Sequence, residues 1–95
     1  MLNKLNDRVI NNLIDTIVSI SDRDVCADFL EDLCTITEIK SMAQRLEVAR
    51  LLTEGNVYSE IAQKTGASTA TICRVKRAMD YGNGGYHAVL GEKVD

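Results

Sequence analysis

The sequence predicts an all-α fold, and three observations carry that reading. Proline is absent, only three tyrosines and one phenylalanine occur in 95 residues, and apolar residues recur at three- and four-residue steps through most of the chain. A β-sandwich or barrel would call for aromatic and β-branched residues in strict alternation. Ninety-five residues are enough for one domain and leave no room for a second core. Apolar residues at 45% and charged residues at 26% describe a soluble globular chain.

The first helix is expected over roughly Lys4 to Ser19. There Leu5, Val9, Ile10, Leu13, Ile14 and Ile17 form a broad apolar stripe. "SISDRD" interrupts it, and Ser21 or Asp22 can cap a second helix reaching about Leu33, with Val25, Cys26, Phe29, Leu30 and Leu33 on one side. "TITE" then places Thr35 and Glu38 at capping-box spacing. A third helix follows from about Ile36 to Glu54 and stops at Gly55. Its apolar residues cover much of its circumference: Ile39, Met42, Ala43, Leu46 and Ala49 in one stripe, widened by Val48, Leu51 and Leu52. So much apolar surface in so short a chain predicts a dimer core built by residues 1–55 of two copies.

Residues 56–81 read as two short helices around Gly66. Ile61, Ala62 and Thr65 face inward on the first. Gly66 is free to take the left-handed backbone of a tight turn, Ala67 is small beside it, and Ser68 can cap the second helix. Ile72, Val75 and Met79 then share one face of that helix. Ile61, Ala67, Ile72 and Val75 make the small core that fixes the interhelical angle of a helix-turn-helix. The tail, 82–95, contains Gly82, Gly84 and Gly85 as a hinge and a short helix over Tyr86 to Leu90.

Charge is unevenly distributed. Residues 1–39 carry three bases against eight acids, whereas residues 40–79 carry seven bases against only Glu47, Glu54 and Glu60. The net charge of −3 therefore conceals a basic middle, and local potential matters more than the sum for an anionic partner. The second helix of the motif supplies the candidate DNA-binding residues: Ser68, Thr69, Ala70, Thr71, Cys73, Arg74, Lys76 and Arg77. Small residues at its start permit close approach to base edges, hydroxyls can bond phosphate or base, and the cations can hold guanine or backbone.

"DLCTITEIKSMAQR", "AQRLEVARLLTEG" and "EIAQKTGASTATICRVKRAMDYGNGGY" resemble the Trp repressor-like proteins of the YerC/YecD family, from about Asp32 to Leu90. More distantly, the chain is similar to the tryptophan repressor itself. The resemblance implies an intertwined all-α homodimer carrying a helix-turn-helix on each side. It also implies sequence-specific binding to double-stranded DNA and transcriptional regulation, as a repressor. By position, Arg45 and Arg74 match the two arginines that flank tryptophan in that repressor. The glycine that leaves room for the indole there is Val75 here. The expectation is therefore no tryptophan corepressor and no other cofactor, with any small-molecule effector left open.

Other function classes find little support in the residues. His87 is the only histidine and has no nucleophile or acid at convincing spacing, so no enzyme is expected. Cys26, Cys34 and Cys73 lack metal-ligand spacing; Cys26 and Cys34 read as small core hydrophobes, and no metal site is expected. No run approaches the roughly 20 apolar residues of a membrane span, and "MLNKLNDRV" lacks a leader's apolar block, so the expected location is cytoplasmic with no membrane partner. The alternative function is a helix-turn-helix that docks to transcription or replication machinery. The basic residues on its second helix favour DNA instead.

Overall fold

The computed structural model describes residue 2 and residues 6–91. Among these, all regular structure is helical: α1 (Arg8–Ser19), α2 (Arg23–Leu33), α3 (Ile36–Thr53), α4 (Tyr58–Thr65), α5 (Thr69–Tyr81) and α6 (Gly85–Leu90). The chain forms two compact units, residues 1–39 and 40–95, so the division falls inside α3. It also falls within the 1–55 segment that the apolar pattern groups together.

In the first unit, the helix starts are set by aspartates. Asp7 Oδ1 accepts from the backbone N–H of Val9 at 2.8 Å and of Ile10 at 3.0 Å. α1 therefore begins at Arg8 rather than near Lys4; Lys4 and Leu5 lie outside the described residues. Asp22 caps α2 in the same way, accepting from Asp24 and Val25. The expected capping box at Thr35 is present: Glu38 N–H donates to Thr35 Oγ1 at 3.1 Å, and Thr35 N–H donates to Glu38 Oε1 at 2.8 Å. This bonding holds the Glu38 carboxyl below the usual carboxylate range, the backbone N–H of Thr35 being the larger cause and its hydroxyl group the second.

Neither α1 nor α2 has a buried residue. Val9 is 69% exposed and Val25 56%. Cys26 and Cys34 are half-buried, which corrects their reading as core residues. The apolar stripes are real, but a single chain does not cover them.

The core lies in the second unit. Val48, Ala49, Leu51 and Leu52 of α3 pack with Ile61 of α4, Ala67 of the turn, and Ile72, Val75 and Met79 of α5; Tyr86 and Leu90 of α6 lie against this cluster. α3 uses only the end of its stripe for this purpose. Met42 and Leu46 remain 39% and 48% exposed. α3 ends when Asn56 N–H reaches Leu51 O at 3.1 Å and Gly55 N–H reaches Leu52 O at 3.1 Å, the paired bonds of a Schellman stop. Asn56 Nδ2 adds a second donor to the same Leu51 carbonyl at 3.0 Å.

Arg50, exposed on α3, is ion-paired with Glu47 and Glu54. The pairing raises the guanidinium pKa, with the Glu47 hydrogen bond and charge leading, and lowers that of Glu47. This uses one of the seven cations of the basic middle within α3 itself.

Candidate nucleic-acid interface

The angle between α4 and α5 is set by local chemistry around Gly66. Its φ of 72° lies in the left-handed region that glycine enters without a Cβ penalty. Thr65 latches the turn on both sides: its hydroxyl donates to Ile61 O at 2.7 Å and accepts from Ala67 N–H at 3.1 Å. Gln44 Nε2 donates to Thr65 O at 3.2 Å, tying the end of α4 to α3. Ile61 and Ile72 are fully buried and Ala67 nearly so. The corner is thus fixed by hydrogen bonds at its backbone and by packing beneath it.

α5 starts at Thr69 because Ser68 Oγ accepts from Thr71 N–H at 3.1 Å. Ile72, Val75 and Met79 turn into the core. At about 100° per residue, the opposite side holds Ala70, Cys73, Arg74 and Arg77. These four residues are exposed and line a notch of about 420 Å³.

The eight candidate residues divide into three groups. Thr69, Ala70, Cys73, Arg74 and Arg77 are exposed, and among the described residues neither arginine has an ion pair. Ser68 and Thr71 serve the cap: Ser68 is exposed, Thr71 half-buried, and their hydroxyl oxygens lie 3.1 Å apart. Lys76 stands apart. It is half-buried, and its ammonium bonds Asp80 at 2.9 Å on the flank of the helix. It also lines a separate cleft of about 360 Å³ together with Leu52, Asn56, Tyr58, Met79 and His87.

Asp80 escaped the sequence reading, although its position four residues after Lys76 is the spacing that pairs side chains on a helix. His87 likewise gains a role: its Nε2 donates to Met79 O at 2.9 Å, holding α6 to α5. No local spacing signals that bond, because it depends on α6 folding back.

The two possible ligand-holding arginines have different surroundings. Arg45 is half-buried on α3 and donates from Nη1 to Ser41 Oγ at 2.8 Å; it makes no ion pair among the described residues. Arg74 opens onto the outward notch. Val75, next to it, is 1% exposed within the core cluster.

A tight αL corner, a buried interhelical core and a second helix with a small, basic outward face define a helix-turn-helix. The profile of the Trp repressor protein family matches residues 8–94, which includes every element described above. The chain belongs to the Trp repressor family. That family is one of helix-turn-helix DNA-binding regulators and is regulatory rather than enzymatic.

Relatives agree over nearly the full length. The chain is 53% identical over 89 residues to the uncharacterized protein YerC of Bacillus subtilis, covering 94% of this chain and 86% of that one. It is similar to the crystal structure of a TrpR-like protein from Eubacterium eligens, with a TM-score of 0.87 at 53% identity, covering 92% of this chain and 90% of the other. A proposed Trp repressor from Staphylococcus aureus gives a TM-score of 0.88 at 43% identity, covering 95% and 90%. No helix among the described residues is long and apolar enough to cross a membrane.

Proposed function

We propose that this protein is a sequence-specific transcriptional regulator, acting as a repressor, that inserts α5 into the major groove of double-stranded DNA. The observation that carries the reading is the outward face of α5. Ala70, Cys73, Arg74 and Arg77 are exposed directly opposite the buried Ile72, Val75 and Met79. A helix held by one face and offering, on the other, small residues and two arginines without an ion pair among the described residues suits base edges and phosphates together.

The working form is a homodimer. The stripes of α1 and α2, with Val9, Leu13, Ile17 and Val25 exposed, are apolar surface that a second copy would cover. Two α5 helices would then meet two half-sites about one helical turn, roughly 34 Å, apart. Tryptophan is not required. Val75 occupies the core where the family resemblance puts a glycine, so the reading head is set by packing.

The test is a gel-shift titration over a range of salt with the wild type, Arg74→Ala and Arg77→Ala. Affinity should fall steeply with salt, and each variant should weaken binding without changing the unfolding midpoint. Salt-independent association, or unchanged affinity in both variants, would shift the reading to a protein-docking module. Sedimentation at micromolar concentration should give the dimer mass, and a monomer would remove the paired half-sites.

A further inference from the structure

The outward face of α5 has an internal order that the arginines alone do not convey. Ala70 and Arg74 are four residues apart and form one row along the helix; Cys73 and Arg77 form a second row beside it. Each row begins with a small side chain and ends, one turn later, in a guanidinium. The notch of about 420 Å³ is thus lined by a methyl group, a thiol and two guanidinium groups.

The two small side chains, Ala70 and Cys73, are selective by what they lack. Reading adenine or guanine through hydrogen bonds calls for Asn, Gln, Arg or Lys at the point of closest approach. Neither Ala70 nor Cys73 offers a strong donor or acceptor, cysteine behaving here as a small hydrophobe with a weak S–H group. Of the neighbouring hydroxyls, Ser68 is engaged in the cap, accepting from Thr71 N–H, while Thr69, one turn before Cys73, is exposed at the start of the same row. In the major groove, the one base-edge feature that small apolar side chains recognise is the C5 methyl of thymine.

Spacing fits two such contacts. Ala70 and Cys73 are separated by about 4.5 Å along the helix axis, close to the roughly 3.4 Å rise between base pairs. With α5 lying along the groove, two small side chains at that separation can reach neighbouring pairs. Arg74 and Arg77, one turn further on and without an ion pair among the described residues, are placed to hold the flanking backbone.

We propose that Ala70 and Cys73 together read thymine methyl groups on adjacent base pairs, so that each half-site carries thymine at one or two neighbouring positions. The inference rests on entry of α5 into the major groove and adds what it recognises there.

Selection of bound duplexes from a random pool, using the full-length chain, identifies the half-site. Each thymine in it is then replaced singly by deoxyuridine, which removes the C5 methyl and leaves base pairing and the O4 acceptor intact. Affinity should drop about fourfold at one or two adjacent thymines, the effect of one buried methyl-sized group, and at no others. In Cys73→Ser, one of those drops should disappear, with thymine and uracil then binding alike. Because Cys73 is exposed, the unfolding midpoint should stay in place.

Selected half-sites without thymine would overturn the methyl reader while leaving groove entry intact. So would uracil replacement that is neutral at every position while the selected sequence still outcompetes random DNA. Absence of any selected sequence together with salt-independent binding would remove groove entry, and the reader with it.

Discussion

Lys76 and Asp80 sit one turn apart on α5, with the Lys76 ammonium 2.9 Å from a carboxylate oxygen of Asp80. As a partly exposed i,i+4 pair it stabilises the helix by about 0.3–0.5 kcal/mol. Its larger consequence is electrostatic, because it withholds one of three α5 cations from an anionic partner. Asp80→Asn should free Lys76 for phosphate. The slope of log affinity against log salt should then steepen by about 0.9 per protomer, with non-specific affinity rising. Lys76→Ala should change affinity less than Arg74→Ala or Arg77→Ala. An unchanged slope in Asp80→Asn would place Lys76 away from DNA.

The reading head and the core should separate cleanly under mutation. Ile72 is fully buried against α3 and α4, so Ile72→Ala should cost about 2–5 kcal/mol, through lost burial and the cavity left behind. Arg77→Ala, on the opposite side of the same helix, should change stability by less than about 0.5 kcal/mol. Urea unfolding followed by circular dichroism measures both. A large loss in the arginine variant would mean that α5 depends on its outward face for folding.

How much of this was legible in the sequence depends on the range of each interaction. Gly66, Ser68 and the Thr35–Glu38 box were readable because side chain and backbone meet within three residues. The start of α1 was not, because Leu5 continues the apolar stripe past Asp7, and periodicity does not show where a cap interrupts it. The same limit applies to α3. Its pattern groups Met42 and Leu46 with Ala49, yet its buried residues, Val48, Ala49, Leu51, Leu52 and Thr53, all lie at its C-terminal end. Periodicity shows which residues share a face, whereas tertiary packing decides which part of that face is covered. At the candidate site, the outward arc of α5 followed from helix geometry. The diversion of Lys76 does not follow from charge and angle; it follows from the Asp80 carboxylate four residues on.

Glu38 ties stability to pH through the α3 cap. Its folded pKa is depressed by hydrogen bonds from Thr35. A depressed carboxyl contributes stability that is present above its unfolded value and lost as pH falls through the folded one. Glu38→Gln keeps an acceptor for Thr35 N–H but does not titrate. The wild type should therefore be more stable than Glu38→Gln at neutral pH, and the difference should shrink towards about pH 3. Paired urea titrations at the two pH values check this; a gap that widens in acid would contradict the sign.

Val75 bears most directly on effector control. It is 1% exposed, packed in the cluster that joins α3, α4 and α5, and adjacent in sequence to Arg74. An indole at that position would have to displace a buried side chain, so calorimetry with the wild type should show no saturation at sub-millimolar tryptophan. DNA affinity should likewise be the same with and without the amino acid. Val75→Gly removes the obstruction, but it also removes buried apolar surface and puts glycine, a poorer helix former than valine, inside α5. Losses of roughly 2 kcal/mol or more are expected from these two effects together. If tryptophan binding requires only space, Val75→Gly should acquire weak saturable binding while becoming less stable. Binding by the wild type would show instead that the site lies away from Val75, and that packing alone does not set the reading head.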